Sequence, residues 1–319
     1  MTDESGVRYT SLRVHWKIKG CAQKALDAIP GGEHLNDRLQ MVGGLRHFDQ
    51  NIAVKVSDWL QTCQYLSDVR FSIPGTTIVE IGTGWYPVLP ICFTFAGAAF
   101  IKTYDIHRHM SPRLTKRALG CLEPHLEAIA RCCAEGSAEV RKKWQPLAAA
   151  ADTAEMLRRA GIEYFAPGDA RQTGIVANTV DLVYSNSVFE HVPSQAILEI
   201  LRESRRILKP GGLALHNIGC NDHYAFFDRS ISFVNFLRFT EAEWRFWNNS
   251  IQYQNRLRAP QFLSLASEAG LKVIYQRTHV RPGCREALKN GLTVAPEFQE
   301  FSPEDLATTT LDFISQKVA

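Results

Sequence analysis

The residues with the most chemical promise fall in a few short runs. Glu80, Gly82, Thr83 and Gly84 lie in Thr77-Ile78-Val79-Glu80-Ile81-Gly82-Thr83-Gly84-Trp85-Tyr86-Pro87. Asp105 stands near the end of the apolar run Phe100 to Ile106, Asp169 and Ala170 follow Gly168, and Ser185-Asn186 close another apolar run. A strand that feeds a helix through glycines turns backbone N–H groups and the helix N-terminus toward a ligand. Glycine is needed where a side chain would block the ligand or where φ must be positive. Pro87 suits the first helical position, where its missing N–H goes unmissed. The chemistry suggested is nucleotide-type binding. A second set can move protons: His191, His216 and His223 fall at or near strand ends, and imidazole titrates near neutrality. Asp222 stands beside His223, where it can orient the ring. Asp222, His223 and Asp228 also offer donors for a divalent cation, but that spacing is not diagnostic and no metal is expected. A third set, Arg238, Tyr253, Asn255 and Arg256, lies in a stretch rich in aromatics, Asn and Arg. It suits a polar or anionic ligand, because arginine can clamp phosphate or carboxylate bidentately.

The elements that must position these residues follow from periodicity. Residues 1–75 read as an N-terminal helical cap, with apolar Ile52, Val54, Val56, Trp59 and Leu60 compatible with a helical face between Asp49 and Val69. From Thr77 strands and helices alternate. Strands are expected over Thr77–Ile81, Phe100–Ile106, Ile162–Phe165, Val180–Ser185, Leu213–Ile218, Leu271–Val280 and Leu306–Val318. Helices are expected over Pro87–Ala98, Gln195–Leu208 and Ala259–Gly270. The stretch Ser111–Gly161 is mostly helical and longer than one crossover needs, so an inserted helix is expected. Lys209-Pro210-Gly211-Gly212 stops the helix before it. Residues 220–258 break the alternation and read as a lid insertion within a 76–319 domain. Alternation of this kind predicts an α/β fold: a doubly wound, mostly parallel seven-stranded sheet with helices on both faces.

Composition narrows the function classes. The chain has 319 residues, 45% hydrophobic and 22% charged, as soluble globular domains do. A net charge of +3 is too mild to point to nucleic acid or an acidic membrane. The eight cysteines form no CxxC pair. That is neither a disulfide framework nor a zinc site, and a reducing cytoplasm is expected. Met1–Ser5 carries no basic or apolar leader signal, and the apolar run from Pro87 to Ile101 is too short to span a bilayer.

In order and spacing, these landmarks resemble the class I S-adenosylmethionine-dependent methyltransferases, in the group of small bacterial-type methyltransferase domains. The resemblance covers residues 70–219 well and 259–319 loosely. It rests on Glu80-Ile81-Gly82-Thr83-Gly84, on Asp105, on Gly168-Asp169-Ala170, on Asp181 to Val192 and on the Leu208–Gly212 turn. It implies a Rossmann-like fold and S-adenosylmethionine as cofactor, leaving S-adenosylhomocysteine as product. It further implies that Asp105 accepts from the ribose hydroxyls, that Asp169 and Ala170 meet the adenine, and that Glu80 orients the glycine loop or contacts the methionine amine through water. Backbone carbonyls at Ser185 and Asn186 would hold the methionine ammonium. Tyr86 stands where the family usually carries a third glycine, so this turn is bulkier; Trp85 and Tyr86 either wall the ligand or pack on the cap. The expected reaction is methyl transfer to a small polar acceptor, a hydroxyl of a sugar, glycan or secondary metabolite, with His223 or His191 as general base. Methylation of a small amine, a nicotinamide-dependent oxidoreductase and a non-catalytic methyltransferase-like subunit are the alternatives. The first glycine motif ends in Pro87, which disfavours the oxidoreductase.

Overall fold

The computed structural model describes residues 15–29 and 47–318. The Met1–Ser5 expectation and part of the expected cap lie outside them. In chain order the main elements are α1 (Trp16–Asp27), α2 (Phe48–Asp68), β1 (Thr77–Ile81), α3 (Val88–Phe95), β2 (Phe100–Tyr104), α4 (Pro112–Leu122), α5 (Leu126–Ala130), α6 (Gly136–Ala148), α7 (Thr153–Ala160), β3 (Ile162–Phe165), β4 (Val180–Asn186), α8 (Ser194–Ile207), β5 (Leu208–Gly219), α9 (Glu241–Trp247), α10 (Ala259–Glu268), β6 (Lys272–His279), α11 (Cys284–Lys289), α12 (Pro303–Ala307) and β7 (Thr310–Gln316).

The strands form one sheet in the order β3-β2-β1-β4-β5-β7-β6. Only β7 runs against its neighbours β5 and β6. The order reverses between β1 and β4, which pair in parallel with Ile81 beside Ser185. In doubly wound sheets ligands bind at such a switch point, at the carboxyl ends of the strands. Alternate residues of each strand feed opposite cores. Ile78, Leu182, Tyr184, Leu213 and Leu215 join α2, α3 and α4 on one face. Val79, Val183, Ala214 and Ile218 join α8 and α10 on the other. The sheet is therefore covered on both sides, as a parallel sheet must be.

Several boundaries differ from the sequence expectation. The mostly helical 111–161 stretch resolves into four helices, α4 to α7. The Lys209–Gly212 turn is taken into β5 as an irregularity: Val180 pairs with Leu208, but Leu182 pairs with Leu213. Leu306 belongs to a short helix rather than to the last strand, because Ser302 caps it by accepting from the Asp305 N–H.

A third core lies apart from the sheet. Trp16 of α1 packs with Tyr224, Val234, Phe236, Leu237 and Trp244 of the 220–258 insertion, and with Cys284, Phe298 and Leu306. The insertion thus shares its core with α1 and with residues 284–307, three pieces distant in sequence. Among the described residues no helix is long and apolar enough to cross a membrane.

Candidate active site

The glycine turn leaves β1 at the switch point. Gly82 has φ +81°, and a Cβ there would meet Val188 Cγ2 at 2.4 Å. Its glycine is fixed both by conformation and by the loop after β4 that lies against it. Gly84, at φ +71°, has no heavy atom within 4 Å of an added Cβ. Its N–H donates to Asp105 Oδ2 at 3.0 Å. The Tyr164 hydroxyl donates to the same oxygen at 3.3 Å. Tyr164 reaches it because β2 and β3 pair with Thr103 beside Tyr164. Asp105 is buried, and burial pushes its carboxyl up to about 7 against the pull of Gly84 and Tyr164.

Glu80 is buried at the end of β1, and its Oε2 has no hydrogen-bond partner. Burial raises its carboxyl to about 8, while Thr83 and Lys55 draw it down and Asp105 adds to the rise. The Thr83 hydroxyl meets that of Thr103. Asp169 is paired with Arg171, whose Nη2 lies 2.7 Å from Oδ2, and this holds its carboxyl low. Sequence reading assigned Arg171 no part. Ala170 packs at the edge of the second core. Trp85 and Tyr86 pack against the first core, Tyr86 with its ring 5.2 Å from that of Phe48 on α2.

At the end of β4, Ser185 and His216 are fully buried and bonded, Oγ to Nδ1 at 2.7 Å. Burial drives the His216 imidazole down to about 3. His216 is therefore a buried core histidine and no proton acceptor for a ligand. Asn186 is held from α2: its amide donates to Asp58 Oδ2 at 3.1 Å, and its carbonyl accepts from Lys55 Nζ at 3.2 Å. Lys55 and Asp58 escaped the sequence reading. They sit on the polar face of a helix read there only for its apolar one, and nothing local signals where that helix docks.

The loop after β4 carries Val188, Glu190 and His191. His191 and His223 come together, their rings 5.0 Å apart. His191 Nδ1 lies 2.7 Å from the Tyr253 carbonyl oxygen. Only an N–H can donate to a carbonyl, so Nδ1 carries a proton and Nε2 is the nitrogen left to meet a ligand. Burial, with His191 and Lys19 nearby, drives the His223 imidazole down to about 3. Asp222 does not serve as expected. Its Oδ1 accepts from the Tyr224 N–H at 2.9 Å and its Oδ2 from the Asn235 amide at 3.2 Å, so it caps its own turn instead of orienting His223. Asp228 likewise accepts from Trp16 N at 3.0 Å and from Ser230. The Asp222–His223–Asp228 metal set therefore does not form.

Of the expected ligand clamp, Tyr253, Asn255 and Arg256 line one cleft of about 300 Å³ with Trp244 and Phe298. Arg238 is exposed and does not join that lining. Arg256 is buried in the lid: it donates to the carbonyls of Phe236 and Phe239, pairs with Glu241 at 2.8 Å and stacks over Phe298 at 4.9 Å. Its two terminal nitrogens hold the lid together, while its buried Nε has no hydrogen-bond partner. The Asn255 amide donates to the Phe189 and Val192 carbonyls, tying the lid to the loop after β4. These two residues position the lid rather than clamp a ligand.

A family model described as a methyltransferase domain matches residues 133–216, from α6 through most of β5. That match spans residues 133–216 alone, and the sheet around it has the doubly wound, mostly parallel order expected from the sequence. The sequence resemblance implies S-adenosylmethionine as cofactor. Gly82, Gly84 and Asp105 precede the matched segment. Their geometry nonetheless fits that cofactor: an open approach over Gly84, an acceptor at Asp105 and an unpartnered buried oxygen on Glu80. No curated protein matches the chain. It is similar to an S-adenosylmethionine-dependent methyltransferase from Mesorhizobium loti at 14% identity, covering 79% of this chain and 96% of that one with a TM-score of 0.43. It is similar to geranyl diphosphate C-methyltransferase from Streptomyces coelicolor A3(2) at 13% identity, covering 81% and 78% with a TM-score of 0.43. It is also similar to phosphoethanolamine N-methyltransferase 2 from Haemonchus contortus at 14% identity, covering 77% and 49% with a TM-score of 0.43.

Proposed function

We propose that the chain methylates a hydroxyl of a small polar molecule, a sugar, glycan or secondary metabolite, beside His191 and His223. The observation that carries this reading is the paired imidazoles, with the His191 Nδ1–H bound to the Tyr253 carbonyl so that Nε2 is the nitrogen left to meet a ligand. A neutral amine acceptor needs no base in place, whereas a hydroxyl must lose a proton as it attacks. The cofactor supplies a methyl group already activated by its sulfonium. Asp105 would accept from the ribose hydroxyls, Asp169 and Ala170 would face the adenine, and the Ser185 and Asn186 carbonyls would hold the methionine ammonium. His191 would take the proton that the acceptor hydroxyl gives up as it is methylated. The low pKa of His223 makes it the weaker acceptor, so the base role moves from the expected His223 to His191. The lid of residues 220–258 covers the acceptor.

Methyl transfer assayed with hydroxylated and amine acceptors tests this. A hydroxylated acceptor is expected to turn over, and His191→Asn to lower kcat by about 10²- to 10⁴-fold with S-adenosylhomocysteine affinity unchanged. Turnover of amines alone, or an unaltered kcat in the variant, would contradict it.

A further inference from the structure

Glu190, His191 and His223 bring a carboxylate oxygen and two ring nitrogens within 4.8 Å of one another. Glu190 is 2% exposed, and its Oε2 is buried with no hydrogen-bond partner. A carboxylate oxygen left so is costly unless something positive meets it. His191 spends Nδ1 on the Tyr253 carbonyl at 2.7 Å. Metal-bound histidines are held in this way, one ring N–H fixed by a carbonyl and the other nitrogen turned to the ion. The lid is pinned around this point: the Asn255 N–H donates to the Glu190 carbonyl at 2.8 Å, and the His223 N–H to Gln254 Oε1 at 3.2 Å. Two ammonium groups act on the trio, Lys55 on Glu190 and Lys19 on His223. Burial drives Lys19 down to about 7, against the pull of the nearby Asp222 carboxyl.

We propose that Glu190, His191 and His223 form a binding site for one divalent transition-metal ion. Two imidazoles and one carboxylate suit zinc, cobalt or iron(II) rather than magnesium or calcium, which take oxygen ligands. The proposal rests on the reading of this region as the acceptor site and gives His191 a ligand role in place of the general-base role. An ion held here would acidify the acceptor hydroxyl as a Lewis acid. The histidine lone pairs would then serve as ligands, and the hydroxyl proton would pass to solvent.

The probe is Co²⁺, titrated into untagged full-length protein freed of metal by chelator. One equivalent is expected to bind, with visible d–d bands and no near-ultraviolet thiolate charge-transfer band. Glu190→Gln and His223→Asn are each expected to weaken uptake by about tenfold or more. A readout that needs no variant is pulsed electron paramagnetic resonance of the Cu²⁺ form, expected to show two coupled imidazole nitrogens. No saturable uptake, a thiolate band, uptake indifferent to both substitutions, or absence of imidazole coupling would each overturn the site. S-adenosylhomocysteine binding, measured in parallel, separates the two claims. Cofactor binding without cobalt uptake sinks the metal site alone, and cobalt uptake without cofactor binding sinks the cofactor assignment alone.

Discussion

Replacing Asp105 with asparagine is expected to strengthen the ligand-free fold at alkaline pH while weakening cofactor binding. Asp105 is 8% exposed, and burial lifts its carboxyl from 3.8 to about 7. A rise of that size corresponds to about 4 kcal/mol. Because the folded value lies above the unfolded one, the favourable contribution is complete below the unfolded pKa. It is lost as pH rises through about 7. At about pH 8 the folded protein therefore carries a buried charge whose cost asparagine removes. Asparagine keeps one acceptor for the Gly84 N–H, at a loss of about 1 kcal/mol, and must bury its own amide donors for another 1–2 kcal/mol or so. The balance is a variant on the order of 1–2 kcal/mol more stable than wild type near pH 8, and less stable near pH 5. Urea denaturation at both pH values reads this sign change. Two charged bonds to ribose are lost at roughly 1.5–3 kcal/mol each, a fall of about 100-fold or more in S-adenosylhomocysteine affinity. An equal stability offset at both pH values would refute the burial argument, and undiminished affinity would refute the ribose assignment.

Other expectations concern the elements that frame the site. Gly82→Ala should cost about 1–2 kcal/mol for the left-handed backbone plus the displacement of Val188, whereas Gly84→Ala should pay only the backbone part. Equal melting temperatures for the two variants would remove the Val188 contact from the account. Lys55→Met takes away a cation that lowers the Glu80 pKa, so the acid limb of a cofactor-binding pH profile should move to higher pH. A limb that stays in place would separate α2 from the site.

Much of the fold was legible because period and punctuation agreed. The five-residue strand at Thr77 ends where glycine must take positive φ, and the sheet edge it feeds is where the order of strands reverses. Asp105 was legible for the same reason: a strand end at a switch point is a place, and an acidic residue there has a short menu of roles. The lid was not. Arg256 and Asn255 carry the right chemistry for a ligand clamp, but tertiary packing put both to structural use, one inside an aromatic core and one on backbone carbonyls. Asp222 misled in the same way, since a carboxylate two residues before a turn N–H caps that turn as readily as it orients a histidine. Lys55, Asp58 and Tyr164 left no local trace, because each reaches the site only through docking or strand register. Glu190 lay within the Phe189–Val192 motif, yet its burial and its unpartnered oxygen are properties of the folded loop.

The most direct test of the account is calorimetric titration of the wild-type chain and of Asp105→Ala with S-adenosylhomocysteine. Saturable binding by wild type that disappears in a variant of native circular dichroism is the predicted result. Binding that survives the substitution unchanged, or none by wild type, would contradict a cofactor site built on the glycine turn and Asp105.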